Sequence, residues 1–363
     1  MTSEREAVAR GFLSRAGVAD AAREALAGDA STRRYERLHL AGGTSLIFMD
    51  QPPSVETQPC PPLATDDERR ALGFNAMYRL AAGRVDAFVA CAGYLRGRGL
   101  SAPRVIASEP PAGFALLEDL GDHLYAGLEA GGAEEALWYD TAIDALTLLH
   151  AESPPDLLGA DGCAWPLLTY DDLALRTAGD LFLEWFPRLR PQLEIGQGAR
   201  AEWEAIWAPV RARAAAGASV FCHRDYHAEN LIWLADRPGA GRVGMLDFQD
   251  AVRAHPAWDL SMLLHDARRD VSPALEAAAL GRYLAARPWL DAEAFRADFH
   301  ALGALNMARI LGIFARLIVR DGKPRYAAFM PRLWRYLDRC LADPALAGLD
   351  EWLARHVPAE ARG

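Results

Sequence analysis

Three polar side chains in the second half of the chain are spaced in a way that suits chemistry on phosphate groups. Asp225 and Asn230 lie in the segment His-Arg-Asp-Tyr-His-Ala-Glu-Asn between two apolar runs, and Asp247 follows a third run. Phosphoryl transfer needs a carboxylate that orients the attacking hydroxyl and accepts its proton, and oxygen ligands that hold Mg²⁺. Asp225, Asn230 and Asp247 together provide these carboxylate and amide groups. The alternative is that the three residues only cap short strands.

The elements around these residues predict an α+β fold with two lobes. Patterning predicts a helix over 4–27 and then a hairpin, with Gly42-Gly43 as its turn and a proline-rich loop over 51–66. Further helices are expected over 84–98, 133–151, 171–186, 199–216 and from 256 onward, and strands over 35–40, 45–49, 103–107, 113–117, 220–222, 231–234 and 243–246. We predict a small β-rich N-lobe over 1–120 and a larger, mainly helical C-lobe over 121–363.

Composition narrows the class of partner. The 363 residues are 51% hydrophobic with a net charge of -10, so the chain can bury a core, and a nucleic-acid partner is not expected. The five cysteines are scattered, which is typical of a reducing compartment. Residues 1–10 are charged, and we predict that no apolar run approaches membrane-spanning length. We therefore expect a cytoplasmic monomer with no membrane partner.

The central segments resemble a known fold. His223–Asn230 and Asp247-Phe248 are similar to the catalytic loop and metal aspartate of the protein-kinase-like fold. Together with Pro256–Leu260 they resemble the aminoglycoside phosphotransferase superfamily, which includes choline and homoserine kinases. The resemblance implies ATP and Mg²⁺ as cofactors, with Asp225 as the catalytic base and Asn230 and Asp247 as metal ligands. His223 and Asp259 would brace the loop, although His223 could equally be a core histidine.

Longer patterns resemble the anomeric amino-sugar kinases of bacterial cell-wall recycling. They are residues 28–35, residues 48–53 and a C-terminal stretch over 311–331. This likeness implies a small-molecule sugar substrate, N-acetylmuramate or N-acetylglucosamine, phosphorylated on its anomeric hydroxyl. A kinase for an aminoglycoside, choline or homoserine-type substrate is the first alternative. A catalytically weak nucleotide-binding module is the second.

The resemblance also places the nucleotide. Glu118 and Leu120 occupy the position of the interlobe hinge, where their backbone groups would bind adenine, although an ordinary polar linker is the alternative. The third strand of the fold usually carries a lysine that contacts the phosphates. Lys323 is the only lysine of this chain, and it lies far from that strand. We therefore expect Arg33 or Arg34 to take the role with help from Ser31, unless both arginines are solvated at the surface.

The sugar is expected to contact the helical lobe. Arg309, Arg316 and Arg320 recur along one predicted helix, and one of them would pair with the carboxylate of N-acetylmuramate. Arg309 is favoured because Asn306 lies one turn before it. The alternative is that all three reach solvent from a surface helix. His227 is predicted to contact substrate or, equally, to serve a local hydrogen bond.

Overall fold

The computed structural model describes residues 3–26, 33–52, 58–81, 84–129 and 131–362. Two compact units divide the chain. The first comprises Met1–His123, Pro155–Leu167 and Ile232–Ala251, and the second comprises Leu124–Pro154, Leu168–Leu231 and Val252–Gly363. The first is rich in strands and the second is mainly helical, which confirms the predicted α+β class.

A five-stranded antiparallel sheet forms most of the first unit. Its strands in chain order are β1 (Ala22–Ala25), β2 (Arg34–His39), β3 (Ser45–Asp50), β4 (Val105–Glu109) and β5 (Phe114–Glu118). They lie side by side in the order β1-β2-β3-β5-β4. The predicted hairpin is β2 and β3, with Gly42 and Gly43 both at positive φ in its turn. The sheet thus brings residues 33 and 34 to the entry of its second strand.

The predicted helix over 4–27 is wrong in its second half. Helix α1 spans Ser3–Arg15 and ends where Gly17 takes a φ of 76°, with the Val18 N–H donating to the Leu13 carbonyl. The chain then forms β1, because its backbone can pair with β2 at the edge of the sheet. Phe12 of α1 packs on the sheet in an apolar core with Phe48 and Phe114.

Two helices and a second hairpin complete most of the first unit. Helix α2 (Asp66–Leu72) begins at a capping box on Thr65, and helix α3 (Val85–Gly97) is buried along most of its length. The hairpin of β6 (Leu157–Ala160) and β7 (Cys163–Pro166) packs on α3. Neither α2 nor this hairpin was predicted. Both are short, and the hairpin lies beyond the first long helix of the second unit.

The second unit is built around one long buried helix. Its helices are α4 (Gly132–Leu149), α5 (Asp172–Leu189), α6 (Gln197–Ala216), α7 (Ala257–Leu264), α8 (Pro273–Ala285), α9 (Ala292–Val319), α10 (Met330–Leu341) and α11 (Ala347–His356). Helix α9 packs against α5, α7 and α10. At Gly312 a Cβ would lie 2.4 Å from the backbone of Leu181, so glycine permits the close approach of α9 to α5.

Four short strands frame the candidate site residues. Strand β8 (Val220–Cys222) pairs with β11 (Val252–Ala254), and β9 (Leu231–Trp233) pairs with β10 (Val243–Met245). Strands β8, β9 and β10 match the predicted strands over 220–222, 231–234 and 243–246 within a residue. Strand β11 was missed because it has only three residues and forms by pairing with a distant segment.

One helix is long and apolar enough to span a membrane, whereas no such apolar run was predicted from the sequence. By length and composition alone, Ala292–Val319 is apolar enough to cross a membrane. In the structure 78% of its most apolar window is buried inside the protein, as for the core helix of a folded domain. The hydrophobicity of α9 is therefore accounted for by packing within the second unit.

Candidate active site

Asp259 braces the start of the loop that follows β8. Its carboxylate is fully buried and accepts the backbone N–H groups of His223 and Arg224 at 2.6 and 2.8 Å. The Cys222 thiol donates to the same carboxylate at 3.1 Å. Burial alone would raise the pKa of Asp259, but the nearby His150 and the hydrogen bonds to the carboxylate lower that pKa below the ordinary value. Asp259 therefore stays ionised and holds the loop in one conformation.

The backbone of this loop is strained at Arg224. Its φ is 77°, a region that non-glycine residues rarely adopt. The Trp258 indole donates to the Arg224 carbonyl at 3.2 Å, and the guanidinium lies 5.0 Å from the centre of the Tyr170 ring. Strain of this kind persists where neighbouring contacts over-determine the conformation, and it is frequent at functional sites. Here the strained residue, Arg224, directly precedes Asp225 in the chain.

The Asp225 carboxylate is paired with Arg309 of α9. Nη2 of Arg309 lies 3.3 Å from Oδ1 of Asp225, and the arginine is only 5% exposed. Nη1 of the same guanidinium donates to Asn306 at 2.9 Å. Asn306 is itself fully buried and contacts the Met262 sulfur. The structure thus pairs Arg309, the favoured one of the three predicted arginines, with Asp225.

Asn230 and His227 close the same loop. The Asn230 amide nitrogen donates to the Asp225 carbonyl at 2.9 Å and lies 3.3 Å from Nε2 of His227. Its amide oxygen thereby faces away from these two contacts. Burial, with Arg268 as the largest nearby charge, moves the pKa of His227 well below its usual range, so the ring is neutral.

Asp247 belongs to the first unit and lies two residues beyond β10. Its φ is 59°, so this loop also carries a strained non-glycine residue at the candidate functional position. Oδ1 accepts hydrogen bonds from Nη1 of Arg33 and Nε2 of Gln249, each at 2.9 Å. The side chain remains 44% exposed, so part of the carboxylate can still take a ligand.

The residues after Asp247 are anchored within the first unit. Phe248 is fully buried, and its ring centre lies 4.7 Å from that of Phe88 in α3. Asp250 pairs with Arg79 at 3.0 Å. Arg79 ends a short π-helical turn, Asn75–Arg79, a conformation that is uncommon and often occurs at functional sites. These contacts fix the direction in which the chain leaves Asp247.

The predicted nucleotide-binding residues lie in or beside the sheet. Glu118 ends β5, its N–H donates to the Arg104 carbonyl, and its side chain pairs with Arg237 at 2.7 Å. Leu120 follows in the partly buried connector. Arg34 is 45% exposed and lies 3.4 Å from Asp50, whereas Arg33 is buried, so the two arginines do point to opposite sides. Ser31 falls outside the described residues.

The polar groups at Asn230 and Asp247 fit the ligand chemistry of magnesium. Mg²⁺ prefers oxygen ligands from carboxylates and amides, and it usually takes only one or two carboxylates from the protein. The Asn230 nitrogen is used by the loop backbone, which leaves its oxygen for a ligand, and one edge of Asp247 is exposed. The donor sets in the two units therefore suit this metal.

Comparison with known proteins defines the class. A family model described as "Phosphotransferase enzyme family" matches residues 23–293. Similar folds occur in an ethanolamine kinase from Plasmodium vivax, with a TM-score of 0.55 and 10% identity over 88% of this chain and 82% of that one. A GDP complex of an aminoglycoside 2′-phosphotransferase has a TM-score of 0.55 and 11% identity over 95% and 99%. The predicted kinase-like fold is thus confirmed.

The chain belongs to the phosphotransferase enzyme family, and it is an enzyme that transfers phosphate to a hydroxyl acceptor. It is 67% identical over 362 residues to the "N-acetylmuramate/N-acetylglucosamine kinase" of Caulobacter vibrioides, covering 100% of this chain and 99% of that one. The protein of the same name in Pseudomonas aeruginosa is 34% identical over 90% and 86%. The predicted family is therefore confirmed.

Several residues at these sites were missed by the sequence analysis. Gln51 and Gln249 contact Arg33, and Asp266 accepts the Ala228 N–H of the loop after β8 at 2.8 Å. Gln249 stands two residues after Asp247 and could have been suspected from that proximity. No local pattern marks Gln51 or Asp266, because their contacts depend on segments far away in the chain.

Proposed function

We propose that the protein is an ATP-dependent sugar kinase that phosphorylates the anomeric hydroxyl of N-acetylmuramate, N-acetylglucosamine or both, in peptidoglycan recycling. The observation that carries this proposal is the identity of 67% over the full chain with a kinase named for these two sugars. The C1 position follows from the resemblance of residues 28–35 and 311–331 to the anomeric kinases.

Asp225 is proposed as the catalytic base. Its carboxylate accepts the proton of the sugar hydroxyl while the hydroxyl oxygen bonds to the γ-phosphorus of ATP. The bond between that phosphorus and the oxygen bridging to the β-phosphate breaks, and ADP leaves. The braced loop and the ion pair with Arg309 support this role, because a general base must be held within reach of the proton it takes.

Asn230 and Asp247 are proposed to hold Mg²⁺ through their side-chain oxygens. The metal would neutralise negative charge on the phosphates. Glu118 and Leu120 are proposed to bind adenine through backbone groups, and Arg34, with Ser31, is proposed to contact the phosphates. The exposure of Arg34 supports this assignment, since a phosphate must reach the guanidinium.

Arg309 and His227 are proposed to contact the sugar. Arg309 already pairs with one carboxylate, that of Asp225, at 3.3 Å, and guanidinium groups bind carboxylates well. An acid group bound there would lie close to the base. Arg309 would then favour N-acetylmuramate, which carries a lactyl carboxylate, over neutral N-acetylglucosamine. His223 and Asp259 serve as supports of the loop.

The test is turnover of purified protein with ATP, Mg²⁺ and each sugar, followed by phosphorus and proton NMR. The expected product is a sugar 1-phosphate, so the reducing-end signals should disappear as ATP is consumed. Phosphorylation at C6 with an intact reducing end would overturn the anomeric assignment. An Asp225→Asn sample controls for contaminating kinases.

The same assay separates the alternatives. Turnover with an aminoglycoside, choline or homoserine but not with either sugar would favour the first alternative. Nucleotide binding without turnover of any acceptor would favour a weak nucleotide-binding module. The division into domains at residue 120, the cytoplasmic location and the monomeric state remain proposals, and size-exclusion chromatography with light scattering tests the last of them.

A further inference from the structure

Arg33 is one of the most heavily engaged side chains of the first unit. It is 6% exposed, and both Nε and Nη1 of its guanidinium donate hydrogen bonds. Nε donates to Gln51 at 2.9 Å. Nη1 lies 2.9 Å from the Tyr35 hydroxyl, 2.9 Å from Asp247 Oδ1 and 3.0 Å from Gln249. The charge of Arg33 is therefore committed to a buried network that contains the candidate metal carboxylate.

The network is attached to the sheet through Gln51. The Gln51 N–H donates to the Gly113 carbonyl at 2.8 Å. Gly113 has a φ of 78°, and a Cβ there would lie 2.0 Å from the Gln51 carbonyl oxygen, so only glycine lets the two backbones approach this closely. Gln51 follows β3, the strand that lacks the lysine usual in this fold. A glutamine therefore connects this strand to Arg33.

The contacts with Asp247 hold one edge of its carboxylate. Arg33 and Gln249 both donate to Oδ1 of Asp247, a residue whose backbone is strained. Two directed hydrogen bonds to one oxygen restrict the rotation of the carboxyl group about its bond to Cβ. The other edge is then presented in a constant direction. Such restraint is what a metal ligand requires from its supporting residues.

We propose that Arg33 is a positioning residue that orients Asp247 for the metal–nucleotide complex, and that it does not act by contacting the phosphates. This inference rests on the proposed role of Asp247 as a metal ligand. In this chain the positive charge missing from the third strand is thus supplied beside the metal carboxylate. The two adjacent arginines then have different roles: Arg33 orients Asp247, and Arg34 contacts the phosphates.

The test uses Arg33→Lys and Arg33→Met, with the exposed Arg70→Met as a matched control. Binding of the Mn²⁺–ADP complex is measured from the electron paramagnetic resonance signal of free Mn²⁺, and steady-state kinetics are measured separately. Both Arg33 variants lose charge-assisted hydrogen bonds to Asp247. We therefore expect their affinity for Mn²⁺–ADP to fall by about 10-fold or more. Arg33→Lys should not restore Mn²⁺–ADP affinity, because one ammonium group cannot reproduce the paired geometry of Nε and Nη1.

A double-mutant cycle with Asp247→Asn shows whether Arg33 acts through Asp247. In that background Arg33→Met should change Mn²⁺–ADP affinity by less than about 2-fold. Full rescue by lysine, or an equal further loss in the Asp247→Asn background, would overturn the inference and indicate a phosphate contact. If Arg33→Met does not fold, Gln249→Met removes one donor to Oδ1 without changing charge, and it should weaken binding in the same direction.

The proposed sugar kinase activity can be wrong while the inference about Arg33 still holds. The Mn²⁺–ADP measurement needs no sugar, so a wild-type protein that phosphorylates neither sugar still tests Arg33. Conversely, an Asp247→Asn protein with unchanged Mn²⁺–ADP affinity would show that Asp247 is not the metal ligand. The two outcomes are therefore distinguishable.

Discussion

Nη2 of Arg309 lies 3.3 Å from Oδ1 of Asp225 within the helical unit. In the strand-rich unit, Nη1 of Arg33 lies 2.9 Å from Oδ1 of Asp247. Each of the two candidate aspartates therefore contacts a buried arginine through one oxygen, and each arginine also bonds an amide side chain. An arginine in this arrangement restricts the orientation of the carboxylate, and a fixed orientation suits phosphoryl transfer.

Replacement of Asp225 by Asn should abolish most activity while preserving the fold. An amide can still accept a hydrogen bond from Arg309, but it cannot accept the proton of the sugar hydroxyl. Loss of a general base typically lowers kcat by about 10²–10⁴-fold. Steady-state kinetics and thermal denaturation measure the two effects. The exposed Asp236→Asn serves as a control, and near-normal kcat in folded Asp225→Asn would contradict the mechanism.

Replacement of Asp247 by Ala should remove the Mg²⁺ dependence of nucleotide binding and turnover. The structure gives Asp247 an exposed carboxylate edge, which alanine lacks. Activity is measured while Mg²⁺ is titrated at a constant concentration of ATP. A titration curve that matches that of the wild type would mean that another residue is the carboxylate ligand.

Arg34→Ala should raise the KM for ATP more than the KM for sugar. Arg34 is half exposed at the start of β2, and its guanidinium lies 3.4 Å from Asp50. A charge-assisted hydrogen bond to phosphate contributes on the order of 1.5–3 kcal/mol, which corresponds to about 10- to 100-fold in affinity. The two KM values are measured by steady-state kinetics in which the concentration of ATP or of sugar is varied in turn. Equal, wild-type values for both would exclude a phosphate contact by Arg34.

Arg309→Gln should alter selectivity between the two sugars. Losing the partner of Asp225 lowers kcat/KM for both, whereas losing a contact to the lactyl carboxylate lowers it for N-acetylmuramate alone. The ratio of the two kcat/KM values therefore isolates carboxylate recognition, and we expect it to fall by about 10-fold. Arg296→Gln, an exposed position of the same helix, is the matched control. An unchanged ratio would leave Arg309 as a partner of Asp225 only.

The protein should lose stability as the pH falls below about 6.5. Burial lowers the pKa of His150, His227 and His265 in the folded state. The unfolded chain therefore binds protons at a higher pH than the folded chain does, and acid favours unfolding. Each histidine contributes up to about 1.4 kcal/mol per pH unit between its unfolded and folded pKa values.

Urea denaturation monitored by tryptophan fluorescence at several pH values measures this dependence. A lower midpoint at about pH 5.5 than at pH 7.5 is expected from the sign of the pKa shifts. In His265→Gln the slope of stability against pH should be smaller, because one titrating group is gone. Stability that stays constant or rises on acidification over this range would contradict the assignment of neutral, buried histidines.

The sequence by itself determined the chemistry-bearing loop, the strands around it and the class of enzyme. These signals are local: Asp225 and Asn230 are five residues apart on one loop, and Asp247 follows a short apolar strand. The ends of helices were predicted less well from the sequence. The helix predicted over 4–27 stops at Arg15, because residues 22–25 gain more from pairing with β2 than from continuing a solvent-facing helix.

Only the tertiary structure decided which arginine serves which aspartate. Arg33 and Asp247 are separated by 214 residues, and Arg309 and Asp225 by 84, so no spacing in the chain relates them. The sequence offered the adjacent Arg33 and Arg34 as candidates for the phosphate contact, and Arg34 was favoured. Because neighbouring side chains along an extended segment point to opposite sides, folding buried Arg33 against Asp247 and left Arg34 exposed.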